Sequence, residues 1–254
     1  MPRRAEKPNG LSQGPGVLSP GRGARVICIP IAAATTDAAL LLMERAAPLA
    51  DLVELRIDRI PDADLERLIA ARRTPVIVTN RSRQEGGGFT GSEEERVGRL
   101  GEAVRLGADY VDIESATDPA LKSGLREAIA GTSTKLIVSW HDFSGTPPSQ
   151  FLRAKLEACM ADGPAIAKIV TRADDDSDCL RVLGLIPYAL RKGQAIAAFC
   201  MGRRGIISRI AAPRLGSAIA YASLEPDEAS APGQLTIHQM REIDRLMEEG
   251  SGNE

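Results

Sequence analysis

Eight short apolar runs, rich in β-branched residues, recur along this chain with longer stretches of helical spacing between them. No other feature narrows the fold as far. The runs are RVICIPI (25–31), LVELRID (52–58), PVIVTN (75–80), YVDIES (110–115), KLIVSWH (135–141), IAKIVTR (166–172), QAIAAFC (194–200) and SAIAYASL (217–224). Such alternation is the signature of βα units around a buried parallel sheet. Between the runs, TTDAALLLMERA offers Thr and Asp as caps, and SEEERVGRLGEAVRLG places Ser92 and Glu95 at capping-box spacing. The last helix candidate is TIHQMREIDRLMEE. Eight strand–helix units in roughly 225 residues predict an α/β fold, a (β/α)8 TIM barrel, as one domain over residues 24–254. An open doubly wound sheet is the competitor, but no G-x-G-x-x-G turn follows the first strand to favour it.

Composition sets limits on partners. Aromatics make up only 3% of the 254 residues, so the interior must be aliphatic and finely layered. A net charge of −2 leaves no basic footprint for nucleic acid and no pattern for an acidic membrane surface. No segment reaches the roughly 18 uninterrupted apolar residues of a membrane helix. Residues 1–23, rich in Gly, Pro and polar side chains without an apolar stretch, are expected to form a disordered arm rather than a signal peptide. Cys28, Cys159, Cys179 and Cys200 are widely spaced and form no CxxC pair, and the two histidines cannot complete a metal set with them. They read as reduced, buried thiols of a cytoplasmic protein.

A barrel places its chemistry at the carboxyl ends of the strands and in the loops after them. The polar residues follow that rule. The second run carries Glu54, Arg56 and Asp58; the third leads into Arg81 and Glu85 of NRSRQEGGG; the fourth carries Asp112 and Glu114; the fifth ends in His141. The sixth holds Lys168 inside GPAIAKIV. An ammonium in so apolar a run is costly unless it is paired or has work to do. Strict alternation puts Ile166, Lys168 and Val170 on one face and Ala167 and Ile169 on the other. If the first face turns inward, Lys168 points into a low-dielectric interior open at the top. There it is either paired with Asp112 or Glu114 as a core lysine, or kept uncharged as a nucleophile for a ketone or aldehyde. His141 can act as base and then acid near neutral pH, and Glu85 can orient it and favour its charged form. His238, in the last helix, is read as structural. Arg56, Arg81 and Arg209 stand at strand ends or in following loops, where guanidinium forks grip carboxylates. Lysine, histidine and arginines on one rim point to a small anionic carbonyl compound.

The segments ELRID, NRSRQEGG, YVDIE, SWHDF, AKIV, MGRRGIISR and SAPGQ, taken in order, resemble those of the type I 3-dehydroquinate dehydratases of the shikimate pathway. The resemblance spans nearly all of residues 25–248. It implies a (β/α)8 barrel, commonly a homodimer, with neither metal nor organic cofactor. It also implies a syn elimination of water from 3-dehydroquinate to give 3-dehydroshikimate. Lys168 matches the lysine that forms an imine with the C3 ketone, and His141 the general acid and base. Glu85 matches the carboxylate that partners the histidine, and Asp112 the acidic residue behind it. Arg209 matches the arginine that grips the substrate carboxylate, while Glu54, Arg56 and Arg81 match groups around the ring hydroxyls and ketone. Ser230 and Gln234 lie on the loop that closes over the substrate in the family. Phe143, Met201 and Tyr221 match apolar contacts to the ring. The sequence departs from the pattern at Asn80, at Phe199 and Cys200, and at Pro226 and Asp227, which lengthen the closing loop. A lysine-dependent aldolase on a similar barrel and a non-catalytic binding barrel are the alternatives.

Overall fold

The computed structural model describes residues 26–249, so the arm expected over residues 1–23 lies outside the described residues. Each apolar run contains a strand: β1 Ile27–Ile31, β2 Leu52–Arg56, β3 Val76–Thr79, β4 Tyr110–Glu114, β5 Lys135–Asp142, β6 Ile166–Arg172, β7 Ile196–Met201 and β8 Ala220–Tyr221. All neighbours are parallel, in the order β7-β6-β5-β4-β3-β2-β1-β8. A backbone bond from Ala218 N–H to the Ile196 carbonyl, 2.7 Å, brings the two ends of that order together in a nearly closed barrel.

Helices cover the outside. They are α1 Thr36–Ala46, α2 Leu65–Ala70, α3 Glu93–Arg105, α4 Pro119–Ile129 and α5 Ser149–Ala161, each following the strand of the same number. Two helices, α6 Asp176–Leu183 and α7 Leu185–Arg191, follow β6; α8 Ile206–Arg214 follows β7 and α9 Ile237–Glu249 follows β8. The caps read from sequence are present. Thr35 caps α1 by accepting from Ala38 N–H at 3.2 Å. At α3, Ser92 Oγ accepts from Glu95 N–H (3.1 Å) while Glu95 Oε2 accepts from Ser92 N–H (2.7 Å). Each arrangement satisfies amide groups that a helix start otherwise leaves orphaned.

Strand alternation divides the core in two. Ile29, Leu55, Val78, Val111, Val138, Ala167, Ile169 and Ala198 face the helices, packed with side chains such as Leu100 and Leu156. Ile77, Ile137, Ile166, Val170, Ala197 and Tyr221 fill the barrel interior. Lys168, flanked by Ile166 and Val170 on its face, therefore points inward. The eighth strand is shorter than its apolar run, 217–224, suggests. Only Ala220 and Tyr221 register against β1, and Ser223 instead bridges to Thr236 at the start of α9. The chain leaves the barrel wall there to form the long loop over the top. Among the described residues no helix is long and apolar enough to cross a membrane.

Leu100 has none of its surface exposed and ties α3 to the outer core. Replacing it with Ala is expected to destabilise the fold by about 2–5 kcal/mol, read as a lower urea midpoint. An unchanged midpoint would show that α3 is not part of the cooperative core.

Candidate active site

A cavity of about 270 Å³ opens at the carboxyl ends of the strands and is lined by residues from β2, β5, β6, β7 and β8, from α8, and from the turns and loops after β2, β3, β5 and β8. Lys168 is at its floor, 4% exposed. Its Nζ lies 3.0 Å from Asp112 Oδ2 and 3.2 Å from Glu54 Oε1, and 4.6 Å from the centre of the Tyr221 ring. The lysine is thus paired with Asp112, as one reading of the sequence had it, but its second partner is Glu54. Glu114 is committed elsewhere. Its Nζ is therefore held between two carboxylates rather than isolated in an apolar pocket.

The two carboxylates are themselves fixed. Glu54 Oε1 also accepts from Thr79 Oγ1 at 2.7 Å. Asp112 accepts from Ser139 Oγ at 2.6 Å and pairs with Arg81 Nη2 at 2.9 Å. Burial alone would raise the Asp112 carboxyl, but Arg81, Lys168 and the Ser139 hydroxyl together hold it below the usual carboxylate range. Arg81 is fully engaged: it also reaches Glu114 Oε1 (3.0 Å) and Ser139 Oγ (2.6 Å). Glu114 is held in turn by Arg96, which bonds Glu93, Thr117 and the Asn80 carbonyl. Three buried cations, Lys168, Arg81 and Arg96, therefore interleave with three buried carboxylates, Glu54, Asp112 and Glu114.

His141 sits on the neighbouring strand, two residues beyond Ser139, whose Cα partner in the sheet is Lys168. Glu85 Oε2 accepts from the His141 backbone N–H at 3.0 Å and lies 2.9 Å from Nδ1 of the ring. Glu85 reaches that position from a short 3-10 turn, Arg83–Glu85, ended by Gly86 at φ +76. The positive φ demands glycine at Gly86, where a Cβ would also meet the tip of the half-exposed Phe143 ring at 2.3 Å. The orienting contact is as expected from sequence, but its electrostatic effect is not. Burial, with the charges of Arg81, Lys168 and Arg56, pushes the His141 imidazolium well below its ordinary value of 6.5. Burial also pushes the Glu85 carboxyl up to about 8, against the opposing charge of Arg81. Both shifts favour the uncharged forms: burial and the cations Arg81, Lys168 and Arg56 oppose the imidazolium, and burial opposes the carboxylate.

Arg209, from α8, is 4% exposed, and its guanidinium carbon lies 4.6 Å from the Phe199 ring centre. Its Nε and Nη2 are buried without a hydrogen-bond partner among the described residues, and burial lowers its pKa to about 10. Arg56 differs, being paired at two points with Asp58 (2.9 and 2.7 Å). Ser230 and Gln234 line the mouth and bond each other through Gln234 Oε1, 2.8 Å from Ser230 N and 3.1 Å from its Oγ. The loop carrying them lies over the cavity, fastened by the Gly202 N–H to the Pro232 carbonyl (2.9 Å) and by Glu228 to Arg45 of α1 (2.6 Å). Phe143, Met201 and Tyr221 supply apolar walls, as does Phe199.

Of the singled-out residues, Asp58, Asp112 and Glu114 do not line this cavity but pair with the arginines and lysine that do, and His238 stands apart, exposed on α9; the rest line it. Sequence reasoning passed over Arg59, which lines the mouth, and Arg96, Thr79 and Ser139, which brace the carboxylates. Inward alternation could have found Thr79 and Ser139. Arg96 carries no such signal, because it sits among the charges of a helix start.

The fold and the cavity define a barrel enzyme with its polar groups gathered at the strand ends. The model of one family, described as type I 3-dehydroquinase, matches residues 27–251. A 3-dehydroquinate dehydratase of Desulfotalea psychrophila is 36% identical over 219 residues, covering 86% of this chain and 96% of its own length. One from Methanocaldococcus jannaschii is 33% identical over 223 residues, covering 88% and 99%. The crystal structure of the 3-dehydroquinate dehydratase from Geobacillus kaustophilus superposes with a TM-score of 0.82 at 29% identity, over 91% of this chain and 93% of that one. The chain belongs to the type I 3-dehydroquinase family, and its activity is that of a 3-dehydroquinate dehydratase, a hydro-lyase.

The raised carboxyl of Glu85 predicts a pH-dependent stability. A buried acid of this kind favours the fold while protonated, and that contribution is lost as pH rises from about 4.5 to about 8. Glu85→Gln should therefore gain stability relative to the parent between pH 5 and pH 8.5, by an amount on the order of a few kcal/mol. Urea unfolding at the two pH values measures it, and a pH-independent difference would contradict the assignment.

Proposed function

We propose that the chain dehydrates 3-dehydroquinate through an imine on Lys168, with His141 moving the protons. The observation that carries this reading is the position of Lys168. It lines the cavity together with His141, on adjacent strands, and it is the only lysine among the described residues that do so. Attack of Nζ on the C3 ketone, with loss of water, leaves an iminium. The attacking form is the free amine, its proton passed to His141 and then to the departing water; the iminium restores a positive charge beside Glu54 and Asp112, which the neutral enamine gives up only until the hydroxyl has left. With Nδ1 of His141 turned to Glu85, Nε2 is left as the base. The neutral imidazole takes the C2 proton, and the C–H electron pair forms an enamine with the iminium. The enamine then expels the C1 hydroxyl, which leaves as water with the proton returned by His141. Hydrolysis of the remaining iminium frees 3-dehydroshikimate and the lysine.

Arg209 supports the same reading. A buried guanidinium with two unpartnered nitrogens is an open anion site, and a substrate carboxylate is the group it lacks. Glu54, Arg56 and Arg81 then surround the ring's oxygens, and the loop bearing Ser230 and Gln234 keeps bulk water from the imine. A homodimer in the cytoplasm completes the proposal, resting on family likeness.

Borohydride added with substrate or product should increase the mass of Lys168 by one reduced ligand, mapped by peptide mass spectrometry. Lys168→Ala should fold yet lose turnover, and an unlabelled parent enzyme would overturn the imine. His141→Ala should still accumulate some imine while losing elimination. Arg209→Ala is expected to weaken substrate binding by about 2–5 kcal/mol, seen in a titration, and unchanged affinity would remove it as the carboxylate clamp.

A further inference from the structure

The triglycine Gly86–Gly88 directly follows Glu85, and a run of three glycines is the least constrained backbone a chain can offer. Here it is held at three points. The Gly86 carbonyl accepts from Arg59 Nη2 at 2.9 Å, Gly87 N–H donates to the Ser82 carbonyl at 2.8 Å, and Gly88 N–H donates to Asp58 Oδ2 at 3.0 Å. Two of these holds come from one short turn, Ile57–Arg59, which directly follows β2. The approach is close, since a Cβ on Gly88 would meet the Asp58 carbonyl oxygen at 2.4 Å. The Asp58 side chain is fully buried and pairs with Arg56. Arg59 is half exposed, lies 3.6 Å from Asp58, and lines the cavity mouth.

We infer that Arg59 is a positioning residue: through the Gly86 carbonyl it fixes the glycine arm that holds Glu85 against Nδ1 of His141. The turn Ile57–Arg59 thereby couples Arg56, on the cavity wall, to the Glu85–His141 pair across β3 and β4, the two strands between β2 and β5. The inference rests on the proton-transfer role proposed for that pair. Arg59 hydrogen-bonds the Gly86 carbonyl and pairs with Asp58, not with the Glu85 carboxyl, so the effect passes through the backbone.

The test compares Arg59→Met, which keeps an apolar stem but removes the donors, with Arg59→Lys, which can still donate to the carbonyl. Arg59→Met should lower kcat about three- to tenfold, the scale of one lost hydrogen bond, with KM nearly unchanged. It should also displace the pH profile of kcat/KM, and Arg59→Lys should restore most of both. In a Glu85→Gln background, Arg59→Met should add nothing. A rise in KM alone, or an unaltered kcat and profile, would overturn the inference and leave Arg59 as a surface cation. An equal loss in the Glu85→Gln background would overturn it as well. If Glu85→Gln alone left the pH profile intact, the reading of the Glu85–His141 pair would fail, an outcome distinct from failure of the clamp. Equal thermal midpoints for the Met and Lys variants separate positioning from folding.

Discussion

The contact between the Lys168 ammonium and the carboxylates of Glu54 and Asp112 is the constraint from which the rest of the site follows. A charge at the floor of an aliphatic barrel is tolerated only if others compensate it, and each compensating group needs its own partner. That requirement propagates outward. Asp112 engages Arg81, Arg81 engages Glu114, and Glu114 engages Arg96 of α3 on the outer layer. The network links the barrel interior to a surface helix and leaves none of these carboxylates free to drift.

The same arrangement separates two kinds of cation. Lys168, Arg56 and Arg81 have acidic partners before any ligand arrives, and Arg209 has none among the described residues. The paired groups are positioned in advance, so little reorganisation is asked of them when charge shifts in the reaction. The unpaired one is the group we propose takes the substrate carboxylate. Neutral His141 fits between them, because the surroundings that disfavour its charged form leave a lone pair available for a proton.

Much of this was legible in the chain itself. The apolar runs marked all eight strands, and alternation along IAKIVTR was enough to turn Lys168 inward, since Ile166 and Val170 did fall inside and Ala167 and Ile169 outside. The capping box at Ser92 and Glu95 formed as spaced. What sequence could not show were relations set by three-dimensional packing. Glu54 as a lysine partner depends on β2 and β6 facing each other across the interior. Arg96 reads as one more solvated charge in SEEER, yet it is 1% exposed because Glu114 and Thr117 lie above it. The charge state of His141 reverses the simple expectation from its carboxylate neighbour, since burial and cations from three strands or loops are not adjacent in sequence. The shortness of β8 was hidden because SAIAYASL stays apolar while its end turns away to Thr236.

The most direct test of the account is a crystal structure of the enzyme with substrate held before hydrolysis. Continuous density should run from Lys168 Nζ to the ring carbon, with that nitrogen still within hydrogen-bond distance of Glu54 and Asp112. A ligand seated in the cavity without a bond to Lys168, or a bonded nitrogen drawn away from both carboxylates, would contradict it.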